Sequence, residues 1–176
     1  MKDKALEAVI DSVTMNVAVR PHKPSLKSKR VKKDAGNPLE KPISRRRLKL
    51  ALDANNGLQS EWIRSCGPSA IKALVVHCEQ YDGIRLIKSP LSPGPAASKK
   101  LRLLGFGNDA TDKLILKIAL ATEDRIIVSG ESDFWDPKKP NDRTIPGQSN
   151  APVARFCREQ LGVTILLLKM LIARVD

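Results

Sequence analysis

Apolar positions along the chain follow two periods, and the switches between them outline alternating strands and helices. Leu6-Glu-Ala-Val-Ile-Asp11 is a short apolar run ending on a carboxylate, and reads as a first strand. Leu48-Lys-Leu-Ala-Leu-Asp53 alternates with the period of two of a strand, and Ala54-Asn-Asn-Gly57 supplies turn residues after it. Leu58 to Cys66 predicts a short helix stopped by Gly67 and Pro68. Pro68 to Glu79 predicts a second, apolar at Ile71, Leu74, Val75 and Cys78, and Ile84 to Lys88 another strand. With its three prolines and one glycine, Ser89 to Ser98 reads as loop. Asn108-Asp-Ala-Thr111 opens a helix through Thr122 that is apolar nearly all round, as a helix buried on most faces is. Arg125 to Ser129 is a continuous apolar strand, of the kind covered on both faces in a parallel sheet. Ala151 to Leu161 is a helix, and Val163 to Leu168 a last strand running into a final turn.

Repeated strand–helix alternation predicts an α/β domain: three layers, with a mainly parallel central sheet flanked by helices. A length of 176 residues suits a single domain spanning 1–176. From Pro21 to Ser44 the chain is rich in Pro, Lys and Ser without periodicity, which predicts a flexible loop or insertion inside that domain. No apolar run approaches the roughly 20 residues that cross a bilayer, and the segment after Met1-Lys-Asp-Lys is amphipathic, unlike a signal peptide. The expectation is a cytoplasmic protein with no membrane partner.

Charge changes this picture in one place. Arg20 to Lys49 holds twelve Lys or Arg against Asp34 and Glu40, an excess of ten; subtracted from the total of +12, it leaves about two for the rest of the chain. A basic segment beside a nearly neutral domain points to a polyanion, since each phosphate contact releases condensed counterions. Lys29, Arg30, Lys32, Lys33, Arg45, Arg46 and Arg47 are the candidate nucleic-acid contacts. Aromatic residues make up 3%, which argues against bases stacked on an aromatic platform. Cys66, Cys78 and Cys157 lack metal-ligand spacing and read as free thiols.

Function in open α/β sheets gathers beyond the carboxyl ends of the strands, and several acids fall there. Asp11 closes the first strand, Glu131 and Asp133 follow the strand ending at Ser129, and Asp112 and Glu61 lie in first helical turns. Each has a bland explanation singly, because a carboxylate in a first turn is favoured by capping and the helix dipole. Together they would repel one another unless cations compensate. Mg²⁺ or Mn²⁺ is the natural partner, since hard divalent ions prefer oxygen ligands.

The run Asp112-Lys-Leu-Ile-Leu-Lys-Ile-Ala-Leu-Ala-Thr122, then Asp124-Arg-Ile-Ile-Val-Ser-Gly-Glu-Ser-Asp-Phe134, resembles the C-terminal half of PIN domains. In that family an Asp opens a buried helix, and an apolar strand, Thr or Ser, an acid-rich turn and Phe follow. Val9-Ile-Asp11 with Asn16-Val17 is similar to the opening strand and its Asp-x-Asn-Val, with three extra residues between Asp and Asn. Leu50 to Trp62 resembles a subgroup in which a strand and turn precede Glu-Tyr, making Glu61 the second acid. A rival alignment makes Asp53 the first acid and Glu79 the second. The resemblance implies a Mg²⁺- or Mn²⁺-dependent endoribonuclease, in RNA processing or as a toxin with an inhibitory protein partner. Asp11, Asp112, Glu131 and Asp133 would hold the metal; Glu61 would complete the acids, and Ser129 would orient an acid or the water. Single-stranded DNA as an added substrate and a homodimer are compatible with it.

Two departures weigh on that expectation. The basic segment is longer than usual at its position, and Gly130-Glu131 stands where the family has Asp. A longer side chain displaces a metal, so a catalytically weakened RNA-binding or protein-interaction module is the alternative. A third reading takes Gly105-Phe-Gly107-Asn-Asp-Ala110 as a dinucleotide fingerprint with Glu131 about twenty residues on. Asp109 and Asp112 would then face a pyrophosphate with two negative charges.

Overall fold

Five of the apolar runs pair into one sheet in the computed structural model, which describes residues 4–20 and 36–176. They are β1 (Leu6–Ile10), β2 (Leu48–Asp53), β3 (Ile84–Ile87), β4 (Ile126–Val128) and β5 (Thr164–Leu166). Every pairing is parallel, in the spatial order β3-β2-β1-β4-β5. Consecutive burial of Ala8, Val9 and Ile10 in β1 and of Ile126, Ile127 and Val128 in β4 requires cover on both faces, because successive side chains point to opposite sides. Helices supply it, giving a three-layer α/β fold: α1 (Ser12–Val19), α2 (Glu40–Ser44), α3 (Gly57–Cys66), α4 (Pro68–Gln80), α5 (Pro95–Leu104), α6 (Ala110–Leu120), α7 (Pro152–Phe156), continued by a π-helical turn over Cys157–Leu161, and α8 (Leu168–Val175). As its pattern predicts, α6 is the most buried, with Ile115, Leu116, Ile118, Ala119 and Leu120 all inside.

Three helices stand where the sequence reads as loop or strand, and α1 stands where it predicts no element. The end of the basic stretch forms α2: the Asn37 side chain accepts from Leu39 N at 3.0 Å, and Leu39 and Ile43, four residues apart, are fully buried. The earlier part of that stretch, including Lys29, Arg30, Lys32 and Lys33, lies outside the described residues. The supposed loop before Ser98 gives way to α5 at Pro95, a residue with no donor to lose in a first turn. Beyond β5 the apolar run turns into α8, whose Leu171 and Val175 are buried while Lys169 is exposed. Cys78 and Cys157 are buried free thiols and Cys66 is half-buried. No helix among the described residues is long and apolar enough to cross a membrane.

Strand order decides where function can sit. From β1 the chain steps outward to β2 and β3, then returns to the other side of β1 for β4 and β5. Its direction therefore reverses between β1 and β4, and a crevice opens beyond their carboxyl ends.

Candidate active site

Asp11 and Ser129 are the first residues beyond β1 and β4, and Asp11 N donates to the Val128 carbonyl at 3.1 Å. The Asp11 carboxylate caps α1, accepting from Val13 N at 2.8 Å and Thr14 N at 2.9 Å on one oxygen and from Thr14 Oγ1 at 2.7 Å on the other. Thr14 Oγ1 also accepts from Gly130 N at 3.0 Å, so a single hydroxyl ties the end of β1 to the turn after β4. Ser129 Oγ accepts from Glu131 N at 3.0 Å, and the Ser129 side chain also hydrogen-bonds Asp11. A 3-10 turn, Ser132–Phe134, follows and carries Asp133. The two tryptophans of the chain brace the same strand ends. Trp62 Nε1 donates to the Ile10 carbonyl at 2.9 Å and Trp135 Nε1 to the Ser129 carbonyl at 3.0 Å, both rings being buried.

Asp112 reaches this crevice from the first turn of α6, and Asp109 caps that helix by accepting from Thr111 N at 2.6 Å. A small pocket of about 170 Å³ has Asp112, Asp133, Asn108, Gly107 and Lys138 among its walls. Burial pushes Asp112 up to about 7, and the charges of Asp133, Asp109 and Asp11 add to the rise. Glu131 is likewise pushed up to about 7, first by burial and then by Asp11, Asp112, Asp133 and Asp109. Asp11 is raised by burial, against the pull of its hydrogen bonds. Mutual repulsion of this kind is what an acidic cluster without a counterion experiences.

Of the acids predicted from sequence, Asp11, Asp112, Glu131 and Asp133 are thus brought together, with Ser129 between them. Glu61 is not among the charges felt by Asp112 or Glu131, and pairs with Arg64 at 2.9 Å. Neither acid of the rival alignment joins the cluster. Asp53 caps α3 through Gly57 N and Leu58 N, both at 2.9 Å, and Glu79 is exposed on α4. Comparison with protein-family models, curated proteins and solved structures finds no match to the chain. Arg45, Arg46 and Arg47 precede β2, at the opposite end of the sheet from the acids, and Arg47 donates to the Asp176 carbonyl. The dinucleotide fingerprint fails on its context: Leu101 to Leu104 is the end of helix α5, whereas the motif needs a strand before its glycines. Asp109 and Thr14 escape sequence reasoning because a capping Asp and a first-turn Thr look local; the only hint was the four-residue spacing Asp11-x-x-Thr14.

The donors in the crevice are all carboxylate or hydroxyl oxygens, which suits a hard divalent cation and not a soft one. Among the described residues no three His, Cys, Asp or Glu side chains are set around a common point as metal ligands. The Asp11 oxygens are already engaged by α1, and Asp112 and Glu131 feel each other's charge and that of Asp133.

Proposed function

We propose that the chain is a Mg²⁺- or Mn²⁺-dependent endoribonuclease acting at the crevice between β1 and β4. The observation that carries this reading is the gathering of four carboxylates at the sheet's switch point, two of them pushed up to about 7 by burial and each other's charge. Carboxylates raised by burial and by one another's charge at a sheet's switch point have the character of a functional site. Asp11, Asp112, Glu131 and Asp133 would hold the cation. When bound, such a cation supplies a more acidic water and neutralises charge on a phosphodiester. The protein's own part is to fix the acids. Thr14 and Ser129 hold Asp11, and the two indoles hold the strand ends.

A second reading, a binding module with a weakened site, draws support from the engaged Asp11 oxygens and from Glu131 standing where the shorter Asp is usual. Incubating the protein with end-labelled single-stranded RNA in Mn²⁺, Mg²⁺ or EDTA separates the two. Cleavage that requires metal and drops at least about a hundredfold in Asp112→Asn, as loss of a group acting on the transition state does, is the expected result. RNA bound but never cut in either metal would replace the nuclease with the binding module.

A further inference from the structure

Cations that hold a phosphate backbone over the acidic crevice must come from its own end of the sheet, which the Arg45–Arg47 run does not occupy. A second pocket, of about 240 Å³, lies beside the acidic one and shares Gly107 with it. Arg102 from α5 and Lys113 and Lys117 from α6 line it together with Ser98, and no carboxylate does. Lys113 and Lys117 are one turn apart and present two amines along one stripe of α6. The neighbouring Asp112, about 100° round the same helix, lines the acidic pocket instead. The helix therefore offers an acid to one pocket and amines to the next. Gly107 lines both pockets and forms the divide, its φ of +87° being a conformation that favours glycine, with the Lys113 stem close beside it. Phe106 also lines this pocket, buried and in edge contact with Phe134 at 5.4 Å between ring centroids.

We propose that this pocket is the subsite for the nucleotide next to the scissile phosphate. Arg102, Lys113 and Lys117 take that nucleotide's phosphate, and the apolar wall at Phe106 takes its sugar or base. The inference rests on the nuclease reading for the word scissile, but its recognition chemistry stands on this pocket alone. Its volume exceeds what a bare phosphate fills, and a cationic rim over an apolar wall matches a group with a charged end and an uncharged body. A strand seated in both pockets would pass over Gly107, the position where the backbone is barest.

The test uses the full chain and the variant Arg102→Gln/Lys117→Gln, both changes being at exposed or half-exposed polar positions on helix surfaces. Binding of a fluorescein-labelled six-nucleotide RNA is followed by anisotropy in EDTA over a range of salt, with far-ultraviolet circular dichroism as the check on folding. Losing the hold on that one phosphate should flatten the plot of log affinity against log salt by about 0.7 and weaken binding about fivefold at 0.1 M salt. Uridine 5′-monophosphate should displace the RNA from the wild type at lower concentration than inorganic phosphate does. Equal displacement by the two would overturn the nucleotide subsite. An unchanged slope in a folded variant, with metal-dependent cleavage intact in the wild type, would overturn the pocket and leave the nuclease standing. Loss of binding in the variant with no cleavage in any metal would remove the nuclease and keep the pocket as an RNA contact.

Discussion

Asp112 sits in the first turn of α6, where the helix dipole favours a carboxylate, yet burial and the charges of Asp133, Asp109 and Asp11 push it up to about 7. The sign of its effect on stability follows from that direction. Its folded-state pKa lies above the unfolded value of 3.8, so between these limits the native chain holds a proton that the unfolded chain has lost. Ionising it therefore costs stability as pH rises from about 4 to about 7, and the penalty is constant above. Asp112→Asn removes the charge and keeps the shape. In EDTA the variant should be more stable than the wild type by up to about 4 kcal/mol at pH 8, with the gain vanishing near pH 4. Urea unfolding at the two pH values measures it, and equal stability at pH 8 would mean that neither burial nor the neighbouring acids disfavour the Asp112 charge. Because Asp112→Asn is also the variant expected to stop cleavage, stability and activity should move in opposite directions, as they do where function requires a strained group.

Helix α2 shows what an element gains from contacts distant in sequence. Its five residues carry a proline and no side-chain cap, and no local signal makes them helical; Leu39 and Ile43 are nevertheless fully buried, and α2 packs on α4. The turn that receives it is Gly83, where an added Cβ would meet Ile43 Cγ2 at 2.5 Å and the Cys78 backbone at 3.3 Å. Gly83→Ala should cost about 1–3 kcal/mol by overpacking, and Ile43→Ala about 2–5 kcal/mol by the cavity it leaves. Since the second removes the atom the first collides with, the double variant should cost less than their sum by at least about 1 kcal/mol. Additive costs in urea unfolding would mean that the two do not touch. The same contrast explains what was legible beforehand. All five strands and helices α3, α4, α6 and α7 were readable, because short apolar runs bounded by turn residues carry their own period. The helices α1, α2, α5 and α8 were not: Ser12–Val19 mixes polar and apolar residues without a clear period, α2 and α5 carry Pro and Lys, and α8 continues an apolar run that reads as strand. The strand-end residues Asp11, Ser129, Glu131 and Asp133 were legible as neighbours since a parallel sheet brings its carboxyl ends to one edge. Glu61 was misplaced because α3 already opens at Gly57, which puts Glu61 beyond the first turn, where it pairs with Arg64 three residues on along the same helix.

Across the whole molecule, the all-parallel sheet separates two kinds of charge. Acids collect beyond the carboxyl ends of β1 and β4, while Arg45 and Arg46 precede the amino end of β2, whose six residues span about 20 Å at ~3.3 Å each. On the proposed reading, a short RNA seated in the two pockets would meet Arg102 and Lys117, whereas Arg45 and Arg46 would be met only by a strand that also follows the sheet to its other end. The length of the substrate is therefore the variable that separates the two sets of cations. In Arg45→Gln/Arg46→Gln, which changes two exposed side chains, cleavage of a six-nucleotide RNA should stay within about twofold of the wild type, because surface changes away from a site shift energies by no more than about 0.5 kcal/mol. Binding of an RNA of about thirty nucleotides should lose about 1.4 from its salt slope as two phosphate contacts go. The Arg102→Gln/Lys117→Gln variant should impair both lengths. If Arg45→Gln/Arg46→Gln proved as damaging to the short RNA as to the long one, the strand would have to run along the sheet and not across its carboxyl edge, and the crevice between β1 and β4 would lose its place as the seat of the reaction.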